Sequence, residues 1–208
     1  CTQGALALTD AVLLILQAAE AVAETHSHGI IVREIQPSTL FLTQRPGGAP
    51  LVKLIDFGTA KLMNAAAAPG VGAELTATAM FGLSQYSSPE MIRKAKSADG
   101  RTDVWSLGAI LYELITGKPP FIGEAAMLML QITREEPPPP SVMAAHLPAE
   151  IDQVVAWALA KDVDARFKNV YAFAHALRPF APPEGQLLVD RIGQITEAAK
   201  RKPKAASL

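Results

Sequence analysis

An α+β fold, mainly helical with a minor β-sheet, is what the sequence predicts, and three observations predict it. Apolar residues recur at helical spacing near the start of the chain and again through most of its second half. Between those regions, residues 30–55 hold only apolar pairs and triplets separated by turn formers, a size suited to short strands. Half of the 208 residues are apolar and 19% are charged, which gives a globular chain enough material for a real core and excludes disordered, collagen-like and disulfide-stapled classes.

The elements follow in order. A first helix is expected from about Thr9 to Thr25, where Val12, Ile15, Leu16, Ala19, Val22 and Ala23 share a face, with Thr9 or Asp10 as its cap and Gly29 as its stop. Ile30 to Val32, Leu40 to Leu42 and Leu51 to Ile55 read as strands, the last two hairpin-like across the turn-rich stretch from Arg45 to Pro50. Ala60 to Ser88 carries no period and reads as a long loop, of the length that in a compact domain usually has a function. From Asp103 to Thr116 the pattern is helical and apolar on nearly every side, the mark of a buried helix. Further helices fit Glu124 to Thr133, Glu150 to Leu159 and Val170 to Leu177, with Pro137 to Pro140 as a stiff extended connector.

We expect one domain over residues 1–180. Residues 181–208 read as a proline-containing linker, a short amphipathic helix with Leu188, Ile192 and Ile195 on one face, and a basic tail from Lys200 to Lys204. That tail is either a solvated charge run or a patch for an anionic surface. Nineteen basic residues against twenty acidic ones leave no global field to gather nucleic acid or a membrane surface. The longest aliphatic run, Ala11 to Leu16, falls far short of the roughly 20 residues that span a bilayer. One cysteine, Cys1, cannot form an internal disulfide, so a cytoplasmic location is the expectation. His26, His28, His146 and His175 are scattered and do not read as a metal cluster.

The informative stretch is His28 to Lys61, HGIIVREIQPSTLFLTQRPGGAPLVKLIDFGTAK. Read alone, Asp56-Phe57-Gly58 at the end of a strand is a carboxylate, an apolar anchor and a flexible hinge. It is either a turn or a place where Asp56 presents oxygen to a hard dication. The order of this stretch, Tyr86 to Glu90, Asp103 to Gly108, Ile110 to Phe121 and Lys161 to Phe167 resembles the large lobe of the eukaryotic-type serine/threonine protein kinase family found also in bacteria. The resemblance implies a protein-kinase-like α+β fold, a mainly helical C-terminal lobe with a minor sheet. It implies ATP and magnesium as cofactors, with Asp56, Phe57 and Gly58 at the nucleotide and Asp56 on the metal.

The resemblance also exposes departures. Val32-Arg33-Glu34 stands where active members carry His-Arg-Asp, Gln36 stands at the loop lysine, and Thr39 at a second metal ligand. Glu34 puts its carboxylate one methylene further out, and a displacement of about 1 Å at a reacting centre can cost about 100-fold. Gln36 lacks a positive charge beside the transferred phosphoryl group, and one lost electrostatic stabiliser costs roughly 3 kcal/mol. Thr39 keeps an oxygen with a shorter reach, a weak metal ligand. Leu83 stands where a hydrogen-bonding threonine is expected.

The structural positions match the family. Glu90 and Arg166 are expected to form a buried ion pair, Asp103 to receive backbone donors of the loop, Gly108 to permit close helix packing, and Trp105 to be core. Arg33 either receives a phosphate on the long loop, with Thr76 and Thr78 as candidate phosphosites, or only braces the loop.

Nothing before Thr9 supplies a glycine-rich flap or a strand lysine, so the small N-terminal lobe is expected to be absent, the chain to be a fragment, and the cleft to be open to the missing lobe or a partner. The function expected is a pseudokinase module acting through a protein partner or substrate, without nucleic acid and without a transmembrane segment. The alternative is a fragment of an active serine/threonine kinase. A helical scaffold unrelated to kinases would need five ordered motifs to coincide.

Overall fold

A computed structural model describes residues 4–55, 61–62, 84–94 and 98–201. Its first helix, α1 (Leu8–Ser27), buries one broad face: Ala11, Val12, Ile15, Leu16, Ala18, Ala19, Val22 and Ala23 are all 3% exposed or less. The expected caps do not cap. Ala7 holds the N-cap position with no side-chain bond, and Thr9 and Asp10 lie inside the first turn, where the Asp10 carboxylate still complements the helix dipole. Gly29, just past the helix, takes a left-handed φ of 74°, a conformation that strains other residues.

The expected strands form two small antiparallel pairs. β1 (Ile30–Ile31) pairs with β4 (Lys61–Leu62), so the stretch expected as loop from residue 60 begins with a strand. β2 (Leu40–Gln44) and β3 (Pro50–Leu54) form the hairpin, with Leu40 opposite Leu54 and Gln44 opposite Pro50. Gly47 and Gly48 turn it at φ 102° and 87°. Gln17 of α1 fastens its outer edge as another strand would: Gln17 Oε1 accepts from Val52 N at 2.7 Å, and Nε2 donates to Pro50 O at 3.1 Å.

Within the second half, α2 (Pro89–Lys94) precedes α3 (Gly100–Thr116), which starts three residues before the expected Asp103 because Asp99 caps it, accepting from Arg101 N at 2.8 Å. Trp105, Leu107 and Leu111 of α3 are fully buried at the centre of the lobe. A Cβ on Gly108 would lie 2.6 Å from Ala158 Cβ, so the glycine is what lets α3 approach α6 (Glu150–Ala158). Between them come α4 (Ala125–Arg134) and α5 (Pro140–Met143). Pro140, expected in the extended connector, opens α5 instead, because its fixed φ is pre-set for a first helical turn. α7 (Val170–Ala176) is capped by Asn169, which accepts from Ala172 N at 2.8 Å.

The largest departure is α8 (Pro183–Arg201), 19 residues long. In place of a linker with a short helix, Leu188, Val189 and Ile192 join the main core, and Arg191 pairs with Glu20 of α1 at 2.9 Å. Among the described residues no helix is long and apolar enough to cross a membrane.

Candidate functional site

The loop from Val32 to Thr39 hangs from α3 through one carboxylate. Asp103, fully buried in the first turn of α3, accepts from Val32 N at 3.0 Å and from Arg33 N at 2.7 Å, one bond to each oxygen. His26, in the last turn of α1, places Nε2 2.7 Å from the same Oδ2. Charge-assisted bonds of this kind are about twice as strong as neutral ones, and they hold Arg33 at φ 72°, where a residue with a side chain costs about 1–3 kcal/mol. Arg33 Nε is buried and without a hydrogen-bond partner among the described residues. Burial pulls the Arg33 guanidinium below its ordinary value, against the opposing charge of Asp103.

Beyond Arg33 the side chains alternate. Glu34 is exposed, Ile35 is anchored in the core, Gln36 is half-buried, and Pro37–Thr39 form one tight helical turn. Thr39 closes that turn: its hydroxyl accepts from Gln36 N at 3.1 Å and shares its proton between Gln36 O at 3.0 Å and Glu34 O at 3.2 Å. Thr39 O in turn accepts from Ile55 N at 2.9 Å, which ties the residue before Asp56 to the end of the loop. Phe41, Leu42 and Ile55, 42–57% exposed, leave an uncovered apolar surface on this part of the chain.

These residues do not make a cation site by themselves. The Thr39 hydroxyl has its proton and one lone pair engaged, and the residue is 8% exposed. Among the described residues no three His, Cys, Asp or Glu side chains gather where a metal would sit. Glu34 is the one carboxylate of the loop. Asp56, Phe57, Gly58, Leu83, Thr76 and Thr78 lie outside the described residues.

The segment from Ser84 to Glu90 is bolted to α3 in three places. Tyr86 donates its hydroxyl to the buried Glu113 at 2.5 Å, and Tyr86 O accepts from Ser106 Oγ at 2.9 Å. Burial, reinforced by that bond to a carboxylate, pushes the Tyr86 phenol well above its ordinary value. Third, Glu90 accepts from Thr102 Oγ1 at 2.7 Å. The same carboxylate takes two bonds from Arg166, at 2.8 and 3.1 Å. Arg166 completes five bonds by donating to Ala160 O twice and to Arg101 O, with its guanidinium 5.1 Å from the centre of the Trp105 ring. Burial works to raise the Glu90 carboxyl, but the bonds and charge of Arg166 outweigh it and hold Glu90 below the usual carboxylate range.

Several of these contacts are invisible to sequence reasoning. His26, Gln17, Thr102, Tyr86 and Glu113 bond to partners 12 to 77 positions away, and no local pattern marks them. Lys161 is another: its ammonium lies 4.2 Å over Phe121 and 4.8 Å over Trp105, and donates to Gln131 O at 3.3 Å near the carbonyl end of α4. Burial pulls its pKa down to about 8, against the attraction of Glu136.

The protein kinase domain family matches residues 2–177. The chain is 40% identical over 170 residues to serine/threonine-protein kinase PknB of Mycolicibacterium smegmatis, covering 81% of the chain and 26% of that protein. It is 37% identical over 175 residues to serine/threonine-protein kinase Pkn1 of Myxococcus xanthus, covering 83% of the chain and 24% of that protein. A probable serine/threonine-protein kinase PknB of Corynebacterium glutamicum is 35% identical over 176 residues. The chain therefore spans about a quarter of the length of these relatives.

Proposed function

We propose, from the premise that this chain belongs to the protein kinase domain family, that it is a kinase-like module with lost or strongly impaired phosphoryl transfer, acting as an interaction or regulatory surface for a protein partner. The observation that carries the reading is the loop itself. It is held as a built frame by Asp103, while positions 34, 36 and 39 present an exposed glutamate, a neutral amide and a hydroxyl already engaged within its own turn. Transfer by this family is positioning plus electrostatics, so a sound frame with the wrong groups on it binds and presents without reacting efficiently.

Within this reading Glu34 occupies the position of the base and Gln36 that of the stabilising cation, and neither matches its role. Asp56, with Phe57 and Gly58, is the remaining candidate to hold nucleotide and magnesium, with Thr39 at most a weak second ligand. Leu83 removes a hydrogen bond that would couple the long loop to position 34. Arg33 either meets a phosphate on Thr76 or Thr78 or serves as a brace. The apolar surface of Phe41, Leu42 and Ile55 belongs under a small lobe or a partner.

A second reading, a segment of an active serine/threonine kinase, is favoured by the Glu90–Arg166 anchor and the Asp103-held loop, both complete here. It assigns Glu34 to orient the substrate hydroxyl and Asp56 alone to hold the metal. A phosphoryl-transfer assay on the complete protein, with Asp56→Ala as control, separates the two. The first reading expects transfer at the level of the control. Robust transfer that disappears in Asp56→Ala refutes it.

A further inference from the structure

We propose that α8 is a built-in strap that sets the geometry of the Val32–Thr39 loop from the back of the lobe, through His26 and Asp103. The helix lies beyond the residues that match the family, which end at 177. It is nevertheless seated as core. Leu188, Val189 and Ile192 are 4% exposed or less, and a Cβ on Gly185 would meet Leu16 of α1 at 3.2 Å. Gly193 lies flush on the Tyr171 ring of α7, where a Cβ would sit at 2.9 Å. Ion pairs Arg191–Glu20 and Arg178–Asp190, both 2.9 Å, fix α8 to α1 and to the turn before it.

The far end of the strap reaches the helix end that matters for the loop. Thr196, Ala199 and Lys200 of α8, with Val170 of α7 and its cap Asn169, line an open cleft of about 260 Å³ together with Ala23, His26 and Ser27 of α1. His26 thus faces the strap across this cleft, on the helix that the strap packs against, and is bonded at 2.7 Å to Asp103, which holds the Val32 and Arg33 amides. Because Arg33 is kept at a positive φ by those two bonds, the loop has a relaxed alternative and responds to a shift of Asp103. His26 is a positioning residue in this scheme. The relay concerns loop geometry, so it holds for an active and an inactive loop alike.

Amide hydrogen exchange on the full chain tests it. In Val189→Asp/Ile192→Asp the Val32 and Arg33 amides should exchange at least roughly tenfold faster than in the parent, while Leu107 and Leu111 in α3 keep their protection. If that variant does not fold, Ile192→Ala carries the same comparison with a smaller change in the same direction. His26→Gln should release the same two amides and leave the Val189 amide protected. Unchanged loop exchange in either variant overturns the proposal. Protection lost evenly over α1, α3 and the loop also overturns it, because α8 would then be a general stabiliser.

Discussion

Replacing Arg166 with alanine removes a side chain that joins α2, the start of α3 and the residues just after α6. Arg166 is 3% exposed and makes five hydrogen bonds, two of them to Glu90. In the variant, Glu90 stays buried beside Thr102 with no counter-charge, and Ala160 O and Arg101 O each lose a donor. Breaking a buried pair from one side costs about 3–5 kcal/mol, a large part of the roughly 5–15 kcal/mol that holds a domain together. For a chain of this size that lowers the melting temperature by about 6–20 °C. Thermal unfolding followed by circular dichroism reads it, with Arg191→Ala as the comparison. The Arg191–Glu20 pair is at a similar distance but 52% and 26% exposed, so its loss should cost no more than about 1 kcal/mol. The pH dependence has a definite sign. Glu90 is held below its ordinary value when folded, so its pairing contributes stability above the usual carboxylate range and loses it as pH falls through the lowered value. The gap between parent and Arg166→Ala should therefore narrow in acid. Equal effects of Arg166→Ala and Arg191→Ala at neutral pH would refute the argument.

Three further outcomes are expected. Gly108→Ala puts a methyl 2.6 Å from Ala158 Cβ and should destabilise by about 1–3 kcal/mol in urea unfolding, with Gly108→Ala/Ala158→Gly recovering part of it. Gln17→Leu strips both bonds from the edge of β3 and should cost about 1–3 kcal/mol while raising exchange at the Val52 amide; unchanged exchange there would contradict the edge-strand role. Lys161, with a pKa pulled down to about 8, binds more protons unfolded than folded between that value and its ordinary 10.5, so its contribution to stability rises with pH in that window. Lys161→Met should flatten the slope of stability between pH 8 and 10, and an identical slope in parent and variant would rule the assignment out.

Where the signal was local, the sequence was readable. α1 and α3 announced themselves by apolar spacing, the hairpin by its turn-rich stretch, and Gly108 by the resemblance to the family. The nearly all-round apolar pattern of α3 does not reveal that the helix buries Glu113, which is tolerable because Tyr86 donates to it. The extent of α8 is hidden because amphipathicity within one helix does not tell how much of a neighbour it covers, and its partner on α1 lies 171 positions earlier at the Arg191–Glu20 pair. Pro140 and Thr9 were misread for a related reason: the same residue can cap, start or interrupt a helix, and the position of neighbouring elements decides which. At the loop, the identities at 34, 36 and 39 were legible from order and resemblance. That the Thr39 hydroxyl already has its proton and one lone pair engaged was not, since it depends on backbone atoms of Glu34 and Gln36.

The account rests on a sound frame carrying unsuitable groups, so the most direct measurement is phosphoryl transfer by the complete protein before and after those groups are exchanged. With Glu34→Asp, Gln36→Lys and Thr39→Asn combined, transfer should rise from the background of the Asp56→Ala control by about 100-fold or more, the scale of a single misplaced catalytic group. A parent protein that already transfers phosphate robustly in an Asp56-dependent way, or that gains nothing from the three exchanges, would contradict it.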